Sequence, residues 1–197
     1  QAANDYVMVI KRLNNVVPYF SINISSPNTS NLKSLVRKDF LKSLSSHLES
    51  ESIDLNKIYI KLAPDLEKKI FQQIIEVISD IGFAGVVLCN TKSIEQPYKG
   101  GLSGRPLFCP ANTCLEWAWE VNQGQLPTIG VGGVMSGKDA FQKIIRGASA
   151  VQIYTSFIYR GPFVVSYLLE ELSSILKVYN FSSIEEARGS YYKKGIK

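Results

Sequence analysis

Five short apolar runs punctuate this chain, and each closes in a polar or glycine-rich cluster. They lie at about Tyr19 to Ile24, Ile58 to Asp65 with Pro64 as the stop, Gly85 to Cys89, Pro127 to Val131, and Ala150 to Tyr154. Runs of this length, apolar at successive positions and bounded by turn residues, predict strands buried on both faces. Between them the apolar residues return every three or four positions, the period of an amphipathic helix. Helices are predicted at about residues 3 to 14, over Leu32 to Leu48, over Asp65 to Ile81 with Gly82 as its stop, and over Asn112 to Val121. Ser136 with Asp139 reads as a capping box that opens a further helix to Arg146. A long helix over Pro162 to Tyr179 and a short one near Ile184 to Ala187 complete the pattern, while Ile94 to Pro110 reads as loop. Strand followed by helix, repeated five times, predicts a parallel sheet covered by helices, the α/β class.

In such folds ligands bind at the carboxyl ends of the strands. The stretch Tyr19 to Thr29 turns there from an apolar run into hydroxyls and carboxamides, and Pro27 forbids the strand to continue. An Asx or Ser turn accounts for the same residues when they are taken alone. Lys61 stands inside an otherwise apolar strand, a costly position unless the ammonium meets an anion or a hydrogen-bonding ligand. Gly130, Gly132 and Gly133 leave backbone amides bare before a helix, and Tyr154-Thr155 closes the next strand. That pair suits a phosphate, carried by a substrate or by the tail of flavin mononucleotide. It is not a dinucleotide fingerprint, because the third glycine and the ribose-binding acid are not in place.

Composition narrows the choice. The net charge of +5 comes from scattered lysines, which argues against nucleic acid as a partner and leaves at most attraction to anionic lipid or phosphate. Three cysteines and one histidine, without close pairing, predict neither a disulfide framework nor a metal site. His47 lies near the end of a predicted helix, far in sequence from every polar loop, and reads as a surface residue. No apolar run reaches the roughly 20 residues that span a bilayer, and the first residues do not read as a signal peptide. The sequons at Asn23, Asn28 and Asn180 are therefore read as accidents of composition.

Taken in order, Asn23-Ile24-Ser25-Ser26-Pro27-Asn28-Thr29, Lys61-Leu62-Ala63-Pro64-Asp65, Cys89-Asn90-Thr91, Gly100-Gly101-Leu102-Ser103-Gly104, Gly130-Val131-Gly132-Gly133-Val134 and Gln152-Ile153-Tyr154-Thr155 resemble dihydroorotate dehydrogenase. The resemblance covers almost the whole chain. Soluble class 1 members carry Cys at the position of Ser26 and quinone-linked class 2 members carry Ser, so the chain resembles class 2. The resemblance implies a (β/α)8 TIM-type barrel, flavin mononucleotide (FMN) as cofactor, and oxidation of dihydroorotate to orotate with ubiquinone as final acceptor. Ser26 would be the base that takes the C5 proton. Asn23, Ser25, Pro27, Asn28, Asn90 and Thr91 would hold the substrate. Asn23, Lys61, Cys89, Ser103, Gly104, Gly132, Gly133, Tyr154 and Thr155 would hold the flavin, with Cys89 standing where many relatives have Thr.

A closed barrel of this type needs about 250 residues and eight strands, whereas five strands are predicted here. The expectation is that residues 1–197 are the carboxyl-terminal part of one FMN-binding catalytic barrel, supplying about its last five βα units. The amino-terminal half of the same barrel would then be its partner, and upstream of it a helical region would dock on a membrane. The resemblance suggests the mitochondrial inner membrane, with the bacterial cytoplasmic membrane as alternative. Two other readings stay open on the residues alone: a class 1-like or other flavin- or phosphate-binding barrel enzyme, and an inactive barrel remnant.

Overall fold

The computed structural model describes residues 2–25, 38–96 and 99–193. Helix α1 (Ala2–Leu13) turns Ala3, Val7 and Ile10 inward and leads to strand β1 (Phe20–Asn23). Helix α2 (Lys38–Ser50) buries Leu41, Leu44 and Leu48, a face repeating every three or four residues, and strand β2 (Ile58–Leu62) follows. Helix α3 (Lys68–Ile81) ends at Gly82, whose φ of +88° closes the last turn while its N–H reaches the carbonyls of Ile78 and Ser79. Strand β3 (Gly85–Leu88) comes next and is buried at every position.

The stretch expected to be loop contains structure of its own. Strands β4 (Lys92–Ile94) and β5 (Gly100–Leu102) pair antiparallel as a separate hairpin. Helix α4 (Phe108–Asn122) begins four residues earlier than its apolar period suggested, with Pro110 in its first turn, where a missing N–H costs nothing. Strand β6 (Thr128–Val131), helix α5 (Gly137–Ile145) and strand β7 (Ala150–Gln152) follow. The last strand stops before Tyr154 because helix α6 (Thr155–Arg160) starts there, an element that the sequence pattern did not reveal. Helices α7 (Val164–Val178), α8 (Ile184–Ala187) and α9 (Ser190–Lys193) end the described chain. Half of the expected capping box is present: the Ser136 hydroxyl accepts from the Asp139 N–H at the start of α5, while the Asp139 carboxylate accepts from the N–H of Met135, one residue before the cap.

The strands form one five-stranded parallel sheet in the order β1-β2-β3-β6-β7. This is the strand–helix succession of a (β/α) barrel, and it accounts for five of the eight units. Among the described residues, β1 and β7 each have one neighbour, and both carry exposed positions that the central strand β3 lacks. Register levels the carboxyl ends: Asn23 stands opposite Lys61, Leu62 opposite Leu88, Leu88 opposite Gly130, and Val131 opposite Gln152.

The amino-terminal ends of the strands are fastened by the end of the chain. Arg188 donates to the carbonyls of Gly124 and Gly147, the turns leading into β6 and β7, and Tyr192 stacks on Trp119 at 4.8 Å. The carboxyl ends are left to the functional site. No helix among the described residues is long and apolar enough to cross a membrane.

Phe71 of α3 is fully buried and meets Trp117 of α4 edge to face, with centroids 5.7 Å apart, so it joins two helices of the outer layer. Phe71→Ala in the complete protein is expected to cost about 3–5 kcal/mol, and Phe71→Leu less than half of that. Urea unfolding followed by tryptophan fluorescence measures both.

Candidate functional site

The polar residues that end β1 and β3 converge on one carboxamide, beside a backbone carbonyl of β2. Oδ1 of Asn23 accepts from the Ser25 amide at 3.2 Å, the Ser25 hydroxyl at 3.2 Å and Nδ2 of Asn90 at 3.3 Å. The Ser25 hydroxyl is also 3.0 Å from the Lys61 carbonyl, and Asn90 donates to the Ser25 carbonyl at 2.9 Å. Tyr6 of α1 ties its hydroxyl to the Asn23 carbonyl at 3.0 Å. The ends of β1 and β3 thus present amides and a hydroxyl, and β2 a backbone carbonyl, with no carboxylate in the network. Ser26, Pro27 and Asn28 lie outside the described residues.

Beside this network opens a cleft of about 280 Å³. Lys61, Cys89, Asn90, Thr91, Ser103, Gly104, Gly132, Gly133, Tyr154 and Thr155 all line it, so ten of the residues expected from the sequence share one wall or another. Leu107, Val131, Val134, Met135, Gln152 and Ile153 line it too and were not expected as site residues. Val131, Val134, Gln152 and Ile153 belong to the quoted motifs, whereas nothing in the sequence marked Leu107 or Met135.

Burial lowers the pKa of Lys61. Among the described residues no carboxylate lies within ion-pair distance of its ammonium. A half-buried cation with donors free is suited to an electron-rich ring or an anion. Cys89 is 2% exposed, and its thiol is held well above the ordinary thiol range, first by burial and then by the neighbouring Cys114. It therefore belongs to the core as a neutral thiol.

The far side of the cleft is glycine-rich for a steric reason as well as a hydrogen-bonding one. A Cβ on Gly133, at φ +74°, would fall 2.5 Å from Cα of Phe108, the first residue of α4. The turn after β6 is seated against the helix start, with its backbone facing the cleft. Asp139, buried at the start of α5, fixes the rim. It accepts from Arg105 at 2.6 Å, from the Met135 amide at 3.0 Å and from the Ser136 hydroxyl at 3.0 Å. The Thr155 hydroxyl meets that of Ser103 at 3.2 Å and closes the ring. His47, by contrast, lies on the exposed face of α2, 2.6 Å from the Ser43 carbonyl, as a surface residue would.

Residues 1–176 match the family model of dihydroorotate dehydrogenase. The chain belongs to the dihydroorotate dehydrogenase family. It is 37% identical over 204 residues to the dihydroorotate dehydrogenase (quinone) of Nostoc punctiforme, covering 96% of this chain and 54% of the relative. To the enzyme of that name from Myxococcus xanthus it is 33% identical over 204 residues, covering 98% of this chain and 56% of the relative. Among solved structures, the DHODH of Eimeria tenella in complex with ferulenol superposes with a TM-score of 0.88 at 32% identity, covering 96% of this chain and 58% of that one. The chain spans about half the length of the curated relatives it matches.

FMN is the cofactor of the family, and the donor set fits it. The glycine turn and the Ser103 and Thr155 hydroxyls suit a ribityl phosphate, and Lys61 with the two asparagines suits a ring that gains electrons.

Gly133→Ala forces a Cβ onto the Phe108 backbone at a left-handed φ. It is expected to cost about 2 kcal/mol or more, whereas Gly100→Ala, with nothing within 4 Å, should change stability by less than about 0.5 kcal/mol. Chemical denaturation of the two variants in the complete protein makes the comparison.

Proposed function

We propose that residues 1–197 are the carboxyl-terminal part of a single FMN-binding barrel, and that the complete protein oxidises dihydroorotate to orotate with a quinone as final acceptor. The observation that carries this reading is the meeting of Lys61 and Asn90 with Gly104, Gly133 and Thr155 around one cleft, beside the Asn23–Ser25 network that Asn90 joins, in a chain of this family. When bound, FMN accepts the hydride released from C6 of the substrate.

The chain's own residues do the rest. Asn23 and Asn90, with Asn28, offer both donors and acceptors to the pyrimidine edge and its carboxylate, and they add no negative charge beside it. Pro27 and Thr91 flank them. Ser26 takes the C5 proton, and the electron pair of that bond becomes the C5–C6 double bond. A serine hydroxyl is a weak base, so the proton must pass onward through water or a neighbouring group. Lys61 would rest its donors against the ring, while Ser103, Gly104, Gly132, Gly133, Tyr154 and Thr155 would hold the ribityl phosphate. Cys89 would contribute through its backbone, its thiol being buried in the core.

The quinone half of the reading is supported by α6. Phe157, Ile158 and Tyr159 are 48%, 70% and 78% exposed immediately after Tyr154 and Thr155, an apolar rim suited to an apolar acceptor or a membrane surface. The amino-terminal half of the barrel, as partner, would cover the open side of β7 and the exposed Phe163 and Leu169 beside it. The membrane would be the mitochondrial inner membrane; fractionation of cells of the source organism, with activity in a bacterial plasma-membrane fraction, would replace that assignment.

Anaerobic mixing of the complete protein with dihydroorotate should bleach its flavin absorbance. Ser26→Ala should slow that bleaching by about 10²- to 10⁴-fold while leaving the flavin bound. Unchanged bleaching would remove Ser26 from the role of base. Reoxidation by quinone, but not by fumarate or a nicotinamide cofactor, separates this reading from a class 1-like enzyme. A complete protein that binds no flavin would be an inactive barrel.

A further inference from the structure

Lys143 sits in the last turn of α5 and is 0% exposed, the only fully buried lysine among the described residues. A buried ammonium is costly unless it is compensated. Its hydrogen bond goes to a neutral atom, Oδ1 of Asn112, at 2.8 Å. Among the described residues no carboxylate lies within ion-pair distance of it. The nearest acid on its own helix, Asp139, is committed to Arg105, Met135 and Ser136. The other groups that face it are the thiols of Cys89, at the end of β3, and Cys114, of α4, and the guanidinium of Arg146.

The position of this charge is informative. Lys143 Cβ and Cδ lie 3.2 and 3.3 Å from where a Cβ on Gly130 would stand, so the side chain runs beneath the last strand residues before the glycine turn. Its Nζ lies 5.1 Å from the centre of the Phe108 ring. Phe108 in turn is the residue against which Gly133 is seated. Lys143 thus underlies the phosphate end of the cleft, touching the strand that leads into the turn and the aromatic residue that supports it.

We propose that Lys143 is a positioning residue for an anionic phosphate on the Gly132–Gly133 turn, lending positive charge from below and fixing Phe108 as the seat of that turn. The proposal rests on the flavin phosphate reading given above. Burial lowers the pKa of Lys143 to about 8. A bound dianion raises it again. The sign follows from that linkage: the contribution to affinity is complete where the empty site keeps Lys143 protonated, below about pH 8, and fades as the pH rises above that value.

Riboflavin, which has the same ring and ribityl chain without the phosphate, supplies the control. The complete protein, stripped of flavin, is titrated with FMN and with riboflavin, as wild type and as Lys143→Met. At about pH 7.5 the substitution should weaken FMN about tenfold or more, and riboflavin by less than about threefold. In the wild type the preference for FMN over riboflavin should shrink between about pH 8 and about pH 10, a range in which the phosphate stays dianionic. Lys61 titrates against both ligands and cancels in the ratio. Equal weakening of the two flavins by Lys143→Met, or weakening of neither, would overturn the proposal. Should the variant not fold, a wild-type preference that stays constant with pH overturns it as well. A wild type with no preference for FMN at any pH would instead defeat the phosphate reading itself.

Discussion

Asn23 faces Lys61 across β1 and β2, and the same parallel register carries through to Gln152 on β7. Because parallel strands share one direction, levelling them brings every carboxyl end to one rim, and whatever residues follow the strands must meet there. A slip of one residue in β2 would turn Lys61 to the opposite face and present Ile60 or Leu62 to the cleft. The apolar residues of β2 prevent that slip, since Ile58, Ile60 and Leu62 are fully buried on the face they now occupy. The cleft's chemistry is therefore held by hydrophobic burial one to three residues away from Lys61.

The parts of this arrangement readable beforehand are those set by local pattern. Strands β2, β3 and β6 are apolar because helices cover them, and Pro64 and Gly82 end their elements for backbone reasons. Their polar endings followed, and with them ten residues of the cleft. The hairpin of β4 and β5 escaped because three-residue strands of Lys, Ser and Gly carry no period. Helix α6 escaped because six residues are fewer than two helical turns. Lys143 escaped for a different reason. A lysine two residues after Phe141 in an amphipathic helix reads as solvated, and only the approach of α4 to α5 puts Asn112 and Phe108 over it.

The glycines of the β6 turn combine two explanations that looked like alternatives. A glycine there is suited both to a tight strand-to-helix turn and to a bare amide cradle. The seat of Gly133 on Phe108 adds a steric demand that neither explanation includes. The turn cannot retreat from the cleft, because the start of α4 is behind it. Packing and anion binding thus select the same residue.

Charge follows the same logic. Two lysines, Lys61 and Lys143, are near the cleft without a carboxylate partner among the described residues. The nearby acids are withheld from them: Asp65 accepts from the Ser93 amide at 2.8 Å, and Asp139 is held by Arg105. Pairing either lysine with its neighbouring acid would relieve the cost of burial, yet it would also cancel the field that an anionic ligand needs. The residual positive field is compatible with a site that takes a phosphate on one side and a carboxylate on the other. It also explains why carboxamides, Asn23 opposite Lys61 and Asn90 in the cleft, and not acids, end the neighbouring strands: a carboxylate there would compete with the ligand for Lys61.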